Sequence, residues 1–101
     1  MNEAQFKEVV DKTWNKELNG HDRKTHAVLT VTTEAAEIAD IWKKAAFSNR
    51  PDKLGGIDML HLAQEIGDLL YGVEVVCREF GLDQDFCRRK TADKLEARYA
   101  K

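Results

Sequence analysis

Glu34 and Glu37 stand inside TVTTEAAEIADIW, and Glu65 and Asp68 inside LHLAQEIGDLLYGV, two stretches where acids should be scarce. Each pair is spaced i, i+3, so its two carboxylates project from the same side of a helix. Each pair also borders an apolar stripe instead of lying opposite it. Two such helices packed antiparallel would bring all four carboxylates to one place. Two carboxylates about 6 Å apart repel by roughly 3 kcal/mol at an effective dielectric near 20, so the cluster opposes folding unless a cation joins it. Oxygen-only ligands suit hard cations such as Mg²⁺, Mn²⁺ or Ca²⁺. Cys or multiple His ligands, which would indicate zinc, are missing from the cluster. A single ExxE or ExxD is a common solvated helix face; two in consecutive long helices, each beside an apolar stripe, point to a metal site.

Charge then points to the substrate. Free of metal, four carboxylates repel polyphosphates; loaded with two or three divalent ions, they attract them. Such a site orients a water, lowers its pKa and stabilises charge on a phosphate oxygen. The sequence has no Walker A pattern or other glycine-rich phosphate loop, which leaves metal-bridged phosphate binding as the natural mechanism.

The elements that must position these acids are helical. Breaks fall at Gly20 with Asp22, at Ser48-Asn49-Arg50-Pro51 followed by Gly55-Gly56, and at Gly81. The periodicity between them predicts helices over about Glu3–Leu18, Thr25–Phe47, Ile57–Phe80 and Gln84–Tyr99. Thr25 is the expected N-cap of the second helix and Asp83 that of the fourth. Gly81 is the expected glycine just past the third. Phe86, Ala92, Leu95 and Tyr99 mark the expected inner face of the fourth. Four helices make the expected fold all-α, a four-helix bundle within one domain spanning residues 1–101.

Composition limits the alternatives. A net charge of −2 with no long run of Lys or Arg argues against a nucleic-acid surface. No apolar stretch reaches the roughly 18 residues of a membrane span, and the polar start MNEAQFKEVV is unlike a secretory signal. The expected location is the cytoplasm. Cys77 and Cys87 are too few for a disulfide framework and read as reduced packing residues. So short a chain with long amphipathic helices exposes apolar surface, and self-association is expected.

The words around these acids resemble a known family. Glu34-Ala-Ala-Glu37 followed by Glu65-Ile-Gly-Asp68 resembles the ExxE…ExxD signature of MazG-type nucleotide pyrophosphohydrolases. LTVTTEAAEIADIWKK is similar to that family's first metal-binding helix, LAQEIGDLLYGVEVVCREFGLD to its second, and KTADKLEARY to its C-terminal element. The resemblance covers about residues 25 to 99. It implies a MazG-like all-α bundle assembled as a dimer or dimer of dimers, with sites lined by more than one subunit. It implies hydrolysis of a nucleoside triphosphate to the monophosphate and pyrophosphate, in a nucleotide house-cleaning role. Magnesium is the implied cofactor, with manganese a possible substitute. Glu34, Glu37, Glu65 and Asp68 are the implied ligands, one of them assisting as base. Two positions depart from the family pattern: Thr33 stands where a second glutamate is common, and Thr91 where an Asn is common.

Lys94 and Arg98, spaced i, i+4, become candidate phosphate contacts through the resemblance; the alternative is a pair of cations serving the helix C-terminus. Thr91 joins them as a candidate substrate contact. Arg89, Lys90, Arg50 and Lys53 are weaker candidates. Trp14 and Asn15, with Phe6, are candidates for a base pocket, the alternative for Phe6 and Trp14 being core packing. His61 shares a helix face with Glu65, and Asp58-Met-Leu-His61 supplies only one of the two elements a di-iron bundle needs. The competing function is a non-enzymatic regulatory or antitoxin-like helical protein that has kept the metal site.

Overall fold

The computed structural model describes residues 1–14, 19–47 and 57–100. They form four helices, α1 (Glu3–Thr13), α2 (Gly20–Ala46), α3 (Met59–Glu79) and α4 (Gln84–Tyr99), and no strand. Asn15, Arg50, Lys53, the Ser48-to-Pro51 break and Gly55-Gly56 lie outside the described residues.

Local chemistry sets the helix ends. Asn2 accepts a hydrogen bond from the Gln5 backbone N–H at 2.8 Å, and the Gln5 side chain accepts one from the Asn2 N–H at 2.7 Å. This reciprocal capping box satisfies two otherwise unpaired donors at the start of α1. The helix stops at Thr13, short of the expected Leu18, because Trp14 turns extended at φ −70 and ψ 130.

The start of α2 differs more. It begins at Gly20, five residues before Thr25, because the Asn19 side chain accepts from the Asp22 backbone N–H at 2.9 Å. The Asn19-Gly20-His21-Asp22 stretch is thus a cap and first turn, not a break. Thr25 lies inside the helix and donates its hydroxyl to the His21 carbonyl at 3.0 Å. Thr30 and Thr33 do the same to His26 and Leu29, at 2.8 and 3.1 Å. Their hydroxyls are satisfied one turn back, and the helix runs unbroken through the β-branched residues between Val28 and Thr33.

Asp58 caps α3 by accepting from the Leu60 and His61 backbone N–H groups. At the other end the Gly81 N–H reaches Arg78 O at 3.3 Å and the Leu82 N–H reaches Cys77 O at 2.8 Å. That pair of bonds is a Schellman motif, and it requires the left-handed backbone that Gly81 supplies at φ 67. Asp83 caps α4, as expected, accepting from Asp85 N.

α2 and α3 form an antiparallel pair. Arg23 near the start of α2 meets Glu79 at the end of α3, with Nε 2.7 Å from Oε1. Val31 lies against Gly72, where an added Cβ would sit 3.4 Å from Val31 Cγ2. Glu34 then falls beside Glu65 and Asp68. α1 packs on α3, and Val10, Ala27 and Val75 are fully buried between the three helices. Phe6, Trp14, Tyr71 and Val76 surround them. The polar groups here are matched: Glu74, 3% exposed, accepts from Arg78 Nε at 3.1 Å and from Gln84 Nε2 at 2.8 Å. Arg78 also donates to the Lys7 carbonyl and to Asp11.

α4 departs from the expected bundle. It buries no residue and is held at its beginning, by Gln84 on Glu74 and Arg88 on Glu3. Phe86, Leu95 and Tyr99 are 52%, 41% and 73% exposed, so the expected inner face is left largely uncovered by the described residues. The radius of gyration is 16.9 Å, against about 13 Å for a closed domain of about 100 residues. One chain therefore supplies an α1–α2–α3 core with a projecting fourth helix, not a closed four-helix bundle.

Candidate metal centre

The antiparallel register of α2 and α3 is what makes a site. Gly72 packs against Val31 of α2, and Asp68 lies one turn further along α3. Glu65 lies nearly one turn beyond that, and Glu34 faces both from α2. Carboxylate oxygens of Glu34, Glu65 and Asp68 lie within 4.8 Å of one another. Glu34 and Glu65 are half-buried and Asp68 is exposed, so the group opens to solvent on one side. Glu37 is exposed and stands outside the three. Its charge acts on Glu34. Burial first, and then the charges of Asp68, Glu65 and Glu37, push the Glu34 carboxyl above the usual carboxylate range. Three of the four expected acids thus converge, and the fourth adds field.

His61 extends the cluster. Its Nε2 lies 3.2 Å from Glu65 Oε1, one turn back along α3. The i, i+4 spacing made this contact legible in the sequence. The donor set remains dominated by carboxylate oxygen, which fits a small hard divalent cation better than zinc or copper.

Beside Glu34 lies a groove of about 310 Å³ lined by His26, Leu29, Thr30, Thr33 and Glu34. Glu34 belongs to both the carboxylate group and this groove. The His26 ring stands 5.4 Å from the Trp14 ring, so Trp14 backs the residue at the far end of the groove. His26 and Thr30 were not singled out in the sequence, where they read only as polar positions on α2.

Trp14 itself is a packing residue in this chain. It flanks the buried core, and its indole N–H donates to Glu79 Oε1 at 2.8 Å. Phe6 packs against the same core. Glu79 lies eleven residues beyond Asp68, about 16 Å along the helix axis, so neither ring is brought to the carboxylates. Burial pushes Glu79 up, but hydrogen bonds from Trp14 and Arg23 outweigh it and hold the carboxyl below its ordinary value.

The cations on α4 sort themselves by partner. Arg88 pairs with Glu3 at 3.2 Å and Arg89 with Asp85 at 2.6 Å, while Lys90 lies over the Phe86 ring. Lys94 and Arg98 pair with no acid among the described residues, and Thr91 is exposed on the same helix. α4 leaves from the far end of α3 and packs along neither α2 nor α3, so these three residues do not meet the acidic cluster of their own chain. No helix among the described residues is long and apolar enough to cross a membrane. Comparison of the chain with family models, with characterised proteins and with solved structures gives no match to any of them.

Proposed function

We propose that this chain is a divalent-metal-dependent hydrolase that converts nucleoside triphosphates to the monophosphate and pyrophosphate. The observation that carries the reading is the convergence of Glu34, Glu65 and Asp68 from two helices, with Glu37 adding charge. Such a gathering is unfavourable on its own and favourable around a cation. The ExxE…ExxD wording of α2 and α3, similar to the MazG-type enzymes, gives the reaction class.

Glu34, Glu65 and Asp68 would hold magnesium, with manganese as a substitute, and Glu37 would complete the set by a side-chain rotation. When bound, the metal would polarise the phosphate chain and acidify a water. The chain's own residues do the rest. Glu34, sitting between the carboxylates and the groove, places the phosphates at one end of a cleft whose other end, near His26, suits a base. A carboxylate left short of full metal contact takes the proton of the attacking water. Lys94, Arg98 and Thr91 meet the departing pyrophosphate from the α4 of a second subunit. That geometry requires a homodimer or dimer of dimers. The exposed Phe86, Leu95 and Tyr99 of α4 favour such an assembly, because an isolated helix of this length is marginal in water. The setting is the cytoplasm and the role removal of unwanted nucleotides.

The test is a panel of ribo- and deoxynucleoside triphosphates labelled at the α-phosphate, incubated with the protein and Mg²⁺. Labelled monophosphate with equimolar pyrophosphate supports the reading. Labelled diphosphate with orthophosphate as first products overturns the reaction class, and no turnover of any nucleotide favours the non-enzymatic alternative.

A further inference from the structure

The groove beside Glu34 runs along one face of α2, past Thr33, Thr30, Leu29 and His26. A rise of about 1.5 Å per residue puts Thr33 beside Glu34, Thr30 about 6 Å back along the axis and His26 about 12 Å back. The order is therefore carboxylates, then two hydroxyls, then a ring backed by Trp14. Both hydroxyls have already committed their protons. Thr30 Oγ1 donates to the His26 carbonyl at 2.8 Å and Thr33 Oγ1 to the Leu29 carbonyl at 3.1 Å. A hydroxyl has one proton and two lone pairs, so each oxygen is left as an acceptor. Spaced i, i+3, the two side chains share a face with their Cβ atoms about 5–6 Å apart. The Thr30 methyl packs against Gly72 of α3, 3.5 Å from where a Cβ on that glycine would sit.

We propose that Thr30 and Thr33 accept hydrogen bonds from the two secondary hydroxyls of a ribose, so that this chain selects ribonucleotides over deoxyribonucleotides. The inference rests on the nucleotide reading above and deepens it. With the phosphates at the Glu34 end and the base at the His26 end, the sugar falls at the threonines. Ribose brings two adjacent O–H donors to two acceptors. O–H···O bonds of about 2.7–2.8 Å let such a pair of hydroxyls bridge oxygens on neighbouring turns. Deoxyribose brings one donor and leaves one threonine oxygen to water. A group that can only accept gains nothing there, because a threonine would have to release its backbone carbonyl to serve it. The His26 ring and Leu29 offer contact that any base can use, so the selection falls on the sugar and not on the base. One hydrogen bond in a groove open to solvent corresponds to about fivefold in affinity.

The experiment measures, by calorimetry on the full chain with Mg²⁺, the binding of three non-hydrolysable α,β-imido adenosine triphosphates: ribo, deoxy and 2′-fluoro. Wild type is expected to bind the ribo analogue at least about fivefold more tightly than the other two. The double variant Thr30→Val with Thr33→Val keeps both branched shapes and the methyl against Gly72, and its preference should fall to about one. Thr30→Ser with Thr33→Ser keeps both oxygens and should keep the preference. A change in packing alone would weaken all three analogues together and leave their ratios as in wild type. Equal affinities in wild type, a 2′-fluoro analogue as tight as ribo, a preference that persists in the valine variant or its loss in the serine variant would each overturn the sugar inference and leave the hydrolase reading standing. Failure of all three analogues to bind would overturn both.

Discussion

Replacing Glu34 by Gln should make the metal-free protein more stable and the metal-loaded protein less so. Oxygens of Glu34, Glu65 and Asp68 lie within 4.8 Å of one another. At that spacing a charged pair repels by about 3 kcal/mol at an effective dielectric near 20 and by about 1 kcal/mol in bulk water. Asp68 is exposed, so solvent screening places the net gain from Glu34→Gln nearer 1–2 kcal/mol. For a domain of this size that is a rise in melting temperature of roughly 5–10 °C without metal. Mg²⁺ at a hundredfold excess over its dissociation constant should stabilise the wild type by about 2.7 kcal/mol and the variant by much less. The order of the two proteins therefore inverts on adding metal. The assay is thermal unfolding of both, with and without Mg²⁺, with Glu8→Gln as a control for loss of an exposed acid on α1. A variant that is less stable than wild type without metal, or equally stabilised by Mg²⁺, would refute the argument that these acids repel one another and share a cation.

Three further outcomes follow from the same geometry. The Glu34 pKa is raised on folding, so its contribution to stability is present below the ordinary value near 4.5 and is lost as pH rises through the folded value. Wild-type stability measured against Glu34→Gln, both metal-free, should therefore fall across that window, and a difference that rises with pH would contradict the assignment. Gly72→Ala should be tolerated, since its Cβ would make ordinary contact at 3.4 Å, whereas Gly72→Leu should part α2 from α3 and weaken Mn²⁺ affinity at least about tenfold by calorimetry. Arg78→Met should cost about 2–3 kcal/mol in urea unfolding, because Glu74 keeps its burial but loses its cationic partner; a cost under about 0.5 kcal/mol would show that Gln84 alone suffices.

Much of the helical layout was legible because its signals are local. The Gly81 stop and the Asp83 cap depend on residues within a turn of the boundary, and both stand where the sequence put them. The start of α2 is hidden in the sequence because Gly20 reads as a breaker, whereas its neighbour Asn19 makes it the first helical residue. The i, i+3 acids showed which side of each helix mattered, but the meeting of Glu34 with Glu65 and Asp68 depends on register. Register here brings Gly72 against Val31, a contact no spacing rule reveals. The exposed position of Glu37 is equally non-local. α4 was misread because its apolar positions imply an inner face without saying which molecule faces it. The hydrogen bond that the Trp14 indole N–H gives to Glu79 joins residues 65 apart in sequence, which no local spacing foretells.

The most direct measurement of the central claim is anomalous diffraction from crystals grown with Mn²⁺. The account predicts a peak bonded to oxygens of Glu34, Glu65 and Asp68, with Glu37 turned in as a further ligand or bound through water, and loss of that peak in Glu65→Gln. A manganese peak elsewhere, or these three carboxylates free of metal at a concentration that supports turnover, would contradict it.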